Sequence, residues 1–105
     1  MDVHDSGGQG DRHILRLYVA GPTRQSTRAL VNLRKICEEH LKGRYEMEVV
    51  DLLQNPEIAA QDQIIAAPTL VRLSPAPVRR LIGDLSQTER VLMILDLAPL
   101  VGDEI

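Results

Sequence analysis

The stretch Ile64-Ile65-Ala66-Ala67-Pro68-Thr69-Leu70-Val71-Arg72-Leu73-Ser74-Pro75-Ala76-Pro77-Val78-Arg79-Arg80-Leu81-Ile82-Gly83-Asp84-Leu85-Ser86 decides how the chain is organised. It reads as two strands between helical segments. Thr69 to Leu73 is one apolar strand. Ser74-Pro75-Ala76-Pro77 is a turn, because its prolines have no N–H for a strand ladder. Val78 to Ile82 is the returning strand, Gly83-Asp84 breaks it, and Ser86 opens a helix. Pro68, just ahead of the first strand, fixes φ and removes a donor. Its imide bond can adopt the cis form at a cost of only about 0.5–1 kcal/mol.

The flanking sequence supplies the rest of the sheet and its helices. His13 to Ala20 alternates Leu15, Leu17 and Val19 with Ile14, Arg16, Tyr18 and Ala20. Both sets are largely apolar, which predicts a central strand covered on both faces. Gly21-Pro22-Thr23 ends it. From about Gln25 to Lys42, Leu30, Leu33, Cys37 and Leu41 recur at helical spacing, and Gly43 stands just past the end. Tyr45 to Asp51 is the next strand. Its Glu46 and Glu48 share one face, a solvated one that discourages pairing between edges. Asn55-Pro56-Glu57 is a helix start, with a cap, a proline at the first position and an acid in the first turn. That helix runs to about Gln63. Ser86-Gln87-Thr88-Glu89 is a capping box, and the last helix buries Val91, Leu92 and Leu95 until Pro99 stops it. The order β-α-β-α-β-β-α predicts a single α/β domain, a mixed four-stranded sheet with helices on both faces. It spans residues 13–98. Residues 1–12 read as a disordered tail and 99–105 as an acidic C-terminal tail.

Composition bounds the function. The chain has 105 residues, 44% hydrophobic and 26% charged, with no Trp or Phe. That is one small soluble domain with an aliphatic core. A small domain buries a modest share of its surface, so a partner or self-assembly into a dimer or tetramer would help its stability. The formal net charge of -3 argues against nucleic acid. No apolar run is long enough for a membrane span, and Met1 to Gly10 lacks a signal-peptide core. The expected location is the cytoplasm. A lone cysteine, Cys37, excludes an internal disulfide and fits a reducing compartment. His4 and His13 lack ligand spacing, so no metal is expected.

Ala66-Ala67-Pro68-Thr69-Leu70, the hairpin and Gly83-Asp84-Leu85-Ser86 resemble the C-terminal half of a thioredoxin-like domain, whose proline is typically cis. Pro77-Val78-Arg79-Arg80-Leu81-Ile82-Gly83-Asp84-Leu85-Ser86 resembles the KaiB family of circadian clock proteins more specifically. So do Leu17-Tyr18-Val19-Ala20-Gly21 and Asp51-Leu52-Leu53-Gln54-Asn55-Pro56. The similarity runs from about Ile14 to about Leu97. It implies a thioredoxin-like fold or, as the alternative, the family's tetrameric βαββααβ ground state. It implies a non-catalytic regulator that docks on a KaiC-type ATPase ring. Under the resemblance, the partner-binding residues are Asn55, Asp62, Gln63, Arg79 and Arg80, with Pro68 structural. Glu46 and Glu48 replace small and basic residues on the strand where KaiA docks in the family, which argues against KaiA as a partner. Gln63 stands where a Lys is usual. A second reading, of another class, is an adaptor acting on a histidine kinase in trans. The kinase SasA has an N-terminal domain of the same fold that competes for KaiC.

Catalysis finds no support in the residues. A thioredoxin-type enzyme places a cysteine where the first strand meets the first helix, since the helix N-terminus lowers the thiol pKa. Here that place is Gly21 to Ser26, which has no sulfur. Thr23 and Ser26 read as helix caps. There is no Gly-x-Ser-x-Gly and no phosphate-binding loop. No enzyme activity and no cofactor are expected. Arg79 and Arg80 are consecutive, so one faces each side of the strand. With Arg72 they read either as charges protecting an edge strand or as ion-pair contacts to an acidic partner.

Overall fold

The computed structural model describes residues 12–97. The readings of His4, of Pro99 as a stop, and of the tails beyond these bounds lie outside the described residues. The elements are β1 (His13–Val19), α1 (Arg24–His40), β2 (Tyr45–Asp51), α2 (Pro56–Gln61), β3 (Thr69–Ser74), β4 (Arg79–Ile82) and α3 (Thr88–Ile94). The sheet order is β2-β1-β3-β4. β1 and β2 are parallel, while β3 is antiparallel to both β1 and β4. This is the thioredoxin-like arrangement, with β1 central as its two apolar faces require.

The two faces of the sheet are covered unequally. On one, Leu15, Leu17, Val19 and Leu70 pack against Ala29, Leu33, Ile36, Cys37 and Leu41 of the α1 segment and Leu85, Val91, Leu92 and Leu95 around α3. The opposite core is smaller: Tyr18, Val50, Ile64 and Val71, flanked by Leu52, Ile58 and Leu73. Six-residue α2 is too short to cover that face. The uncovered part carries cross-strand ion pairs instead: Arg12 Nε donates to Glu46 Oε2 at 3.0 Å and Arg16 Nε to Glu48 Oε1 at 2.9 Å. Glu46 and Glu48 are therefore solvated but paired, on the edge strand.

Local chemistry moves several predicted boundaries. Thr23 caps α1, its Oγ1 accepting from the Ser26 N–H at 3.1 Å. Gly21 has φ +81, and a Cβ there would lie 2.8 Å from Leu53 Cδ1, so the turn requires glycine. The capping box at Ser86 does not form. α3 starts at Thr88 with Gln87 at its cap and no side-chain cap bond. Ser86 N–H instead donates to Asp84 Oδ1 at 3.0 Å, an Asx-turn. Between them, Leu85 takes φ 64 and buries its side chain in the core. The turn needed for that burial displaces the helix start. Asn55 occupies the cap of α2, but its side chain donates back to Asp51 O and caps nothing. α2 stops at Gln61, two residues early, because Gln63 is left-handed at φ 57. β4 begins at Arg79, one residue after the expected Val78.

Arg72 departs furthest from expectation. It is no hairpin surface residue: its exposure is 0%. Its Nη1 donates to Asp96 Oδ2 at 2.6 Å and its Nη2 to Pro77 O at 2.8 Å. Nε has no partner. Arg72 thereby ties β3, the hairpin turn and the end of α3 together. Asp96, at φ 59, turns the chain there so that its carboxylate meets the guanidinium. Nearby, His13 Nε2–H donates to Leu95 O at 2.8 Å.

Candidate functional site

The half-covered face of the sheet gathers a polar cluster. One row runs across it: Glu48 lies opposite Arg16, Arg16 opposite Val71, and Val71 opposite Arg80. Tyr18, two residues along β1, shares that face. Its hydroxyl donates to Asp62 Oδ2 at 2.6 Å and accepts from Arg16 Nη1 at 3.3 Å. Arg16 Nη1 also lies 3.7 Å from Asp62 Oδ2. From β4, Arg80 donates through Nη1 to Gln63 O at 2.6 Å and through Nη2 to Asp62 O at 2.7 Å. A cation on the last carbonyls of a helix satisfies acceptors that have no intrahelical partner. Arg80 thus caps α2 from another strand, and the left-handed Gln63 turns its carbonyl toward it.

These groups line a depression of about 220 Å³ with Gln61, Leu73 and Val78. That is below the usual ~300–1,000 Å³ of a small-molecule site. Burial, then the Asp62 hydrogen bond, hold the Tyr18 phenol above its ordinary pKa. It stays a neutral hydrogen-bond donor to Asp62 at physiological pH. The network fixes the charged groups in place, leaving little freedom to lose when a partner binds.

The proposed binding residues do not form one patch. Asp62, Gln63 and Arg80 meet. Asn55 stands at the far end of α2, about 9 Å of helix away, bonded to Asp51. Arg79 faces the other side of β4, opposite Arg72, near Asp96, whose pKa is lowered first by its hydrogen bond from Arg72 and to a lesser degree by the Arg79 charge. Pro68 is buried beside the start of β3, with a cis bond from Ala67. Its carbonyl accepts from Gly83 N–H at 2.9 Å, tying the loop to the end of β4. Sequence reasoning missed Arg16, Tyr18 and Glu48. The signal was available, since period-two alternation places Arg16 and Tyr18 on one face of β1.

The place of a thioredoxin cysteine holds Thr23 and Ser26, whose hydroxyls bond each other at 3.0 Å. Cys37 is fully buried, and burial pushes its thiol up to about 12. A thiol in that state is not a nucleophile at neutral pH. Among the described residues, no group of three or more His, Cys, Asp or Glu is arranged to hold a metal. No helix among them is long and apolar enough to cross a membrane.

Comparison with known proteins places this geometry. The family model "KaiB domain" matches residues 16–97. "Circadian clock oscillator protein KaiB" of Synechococcus sp. (strain CC9311) is 56% identical over 85 residues, covering 81% of this chain and 71% of the relative. The protein of that name from Prochlorococcus marinus (strain MIT 9303) is 55% identical, with 81% and 71% covered. In Thermostichus vulcanus the identity is 53%, with 81% and 79% covered. Among solved structures, the N-terminal domain of Synechococcus elongatus SasA superposes with TM-score 0.67 at 17% identity, covering 87% of this chain and 90% of the domain. The Drosophila thioredoxin Deadhead superposes with TM-score 0.66 at 12% identity, covering 90% of each chain. At those identities the likeness speaks for the fold alone. The family rests on the domain match and on sequence identity above one half across most of the chain: this protein belongs to the KaiB family.

Proposed function

We propose that this protein is a non-catalytic clock-type regulator that docks on a KaiC-type hexameric ATPase and modulates its phosphorylation and ATPase cycle. The observation that carries the reading is the identity to named circadian clock oscillator proteins over most of the chain. The fixed cluster of Arg16, Tyr18, Asp62, Gln63 and Arg80 supports it as a prearranged contact surface. Within this reading, Asp62, Gln63 and Arg80 contact the partner directly. Asn55 extends the contact along α2, Arg79 contributes from the opposite face, and Pro68 shapes the loop. The functional unit is the domain at residues 13–98, and it acts in the cytoplasm, in a rhythm or in stress adaptation. Paired Glu46 and Glu48 leave the β2 edge unsuited to a KaiA-type partner.

A second reading is an adaptor for a two-component histidine kinase. It is favoured by the fold shared with the SasA N-terminal domain. The two are separated by size-exclusion chromatography with light scattering. The protein is run with the KaiC-type ATPase and ATP, and separately with a SasA-type kinase. Co-elution with the ring, lost in Arg80→Ala and Asp62→Ala, supports docking. No complex with the ring under any nucleotide condition sinks it, and binding to the kinase alone moves the reading to the adaptor.

A further inference from the structure

We propose that the exposed face of α1 is a second docking surface, for a short acidic helical segment of a partner protein with an apolar residue among its acids. Between residues 20 and 37 the sequence carries Arg24, Arg28, Arg34 and Lys35 and no acid, in a chain whose formal net charge is -3. All four residues are exposed, while Ser26, Ala29, Leu33, Ile36 and Cys37 hold the helix to the core. Arg24, Arg28, Val31 and Lys35 stand at i, i+4, i+7 and i+11, so they line one stripe about 17 Å long. Arg34 flanks it. Val31, in the middle, is 59% exposed. Glu38 and Glu39 end the stripe, and the Glu38 carboxylate already accepts from the Tyr45 hydroxyl at 2.7 Å.

Helix energetics do not account for this arrangement. The first turn has Arg24 and no acid, whereas the helix dipole favours acids there. Arg24 and Arg28 are like charges four residues apart, which also costs stability. Relief within the fold is slight. Among the described residues, the one ion pair these four cations make is Arg28 Nη1 with Asp84 Oδ2, at 3.5 Å. An acidic segment laid along the stripe supplies carboxylates to Arg24, Arg34 and Lys35 and offsets the unfavourable dipole term. Its apolar residue covers Val31. Nucleic acid fits less well, since α1 has no aromatic side chain for bases to stack on and the acidic remainder of the chain repels a long polyanion. A membrane surface needs a broad apolar face, and Val31 is a single residue. The stripe lies on the opposite side of the sheet from the cluster of Tyr18, Asp62 and Arg80, so the two surfaces can be occupied together. The inference therefore stands or falls independently of the ATPase reading.

Fluorescence anisotropy on the full chain tests it. The probe is a fluorescein-labelled helical peptide of roughly 16 residues with Glu, Glu, Leu and Glu at i, i+4, i+7 and i+11. At about 50 mM NaCl it should bind saturably with a Kd on the order of 10–100 µM. Binding should weaken in about 0.5 M NaCl, and the same peptide with Gln in place of Glu should not bind. Arg24→Gln, Arg34→Gln and Lys35→Gln should each weaken binding roughly two- to fivefold, and the triple variant at least roughly tenfold. Arg12→Gln, which removes a cation from the other face of the sheet, should bind like wild type. Thermal unfolding separates binding from folding: Arg24→Gln should leave Tm unchanged or raise it, because it removes a cation from the helix start. No saturable binding up to about 1 mM peptide overturns the proposal. So do a Gln peptide that binds equally well, stripe variants that bind like wild type, or an Arg12→Gln loss as large as theirs. Tighter binding to a single-stranded DNA oligomer or to phosphatidylserine vesicles than to the peptide overturns it in favour of that partner class.

Discussion

Replacing Arg72 with Ala and with Met separates packing from charge at the one fully buried cation among the described residues. Arg72→Ala removes two methylenes, worth about 0.8 kcal/mol each. It also removes two hydrogen bonds made by a charged donor, at about 1.5 kcal/mol each. Against this stands relief of the unpartnered Nε–H, a penalty of about 1–2 kcal/mol. The balance is a loss of about 3 kcal/mol, which is large beside a total stability of roughly 5–15 kcal/mol. Tm should fall by roughly 12–24 °C for a domain of this size. Arg72→Met keeps much of the side-chain volume and removes the charge together with its unmet donor. Asp96 and the Pro77 carbonyl can turn to water. Swapping a buried ion pair for apolar packing is often neutral or better, so Met should lie within about 1 kcal/mol of wild type. The chain has no Trp, so urea unfolding is followed by far-UV circular dichroism. Acid adds a second reading. Hydrogen bonding to Arg72 holds the Asp96 carboxyl below its usual range. A depressed carboxylate stabilises above the unfolded pKa, near ~3.9, and that contribution fades as pH falls through the folded value. Arg72→Met should be less acid-sensitive than wild type below about pH 4. If Met costs as much as Ala, the ion pair holds the site and the packing argument is refuted.

Three further outcomes rest on the geometry. Cys37 should resist a thiol reagent in the native state and react fully in urea. Its raised pKa, about 12, also makes a stability contribution that is complete below the unfolded value and lost as pH climbs toward 12, measurable as a falling Tm above about pH 9. Thr23→Ala should cost about 1 kcal/mol by removing the cap of α1, while Thr23→Ser should recover most of it; chemical denaturation checks both. Arg80→Ala should free the carbonyls of Asp62 and Gln63 and speed hydrogen exchange at the end of α2 by roughly tenfold, with α1 unchanged. Uniform protection in that variant would show that Arg80 does not hold the helix end.

The residues differ in how legible they are. β1 is legible as central because both its faces are apolar, and only burial on two sides accommodates that pattern. The α1 cap at Thr23 is legible because the bond it makes is local. The Ser86 box fails although its residues fit, since Leu85 gains more by entering the core than the box gains at the surface. Asp62, Gln63 and Arg80 can be singled out one by one. Their meeting depends on two strands and a helix end, and no short-range pattern encodes it. Arg72 gives no sign of burial, because its partners Pro77 and Asp96 are placed by the hairpin and by α3.

By itself, the sequence determined the order of elements, the centrality of β1, the aliphatic core and the absence of sulfur where thiol chemistry would need it. Those features depend on periodicity, composition and bonds between near neighbours. The tertiary structure alone decided that α2 leaves half a sheet face open, that Arg80 caps α2 across the sheet, and that Arg72 lies inside. Each of these joins residues distant in sequence, and the energy of a buried charge or a capped carbonyl depends on what the fold brings beside it.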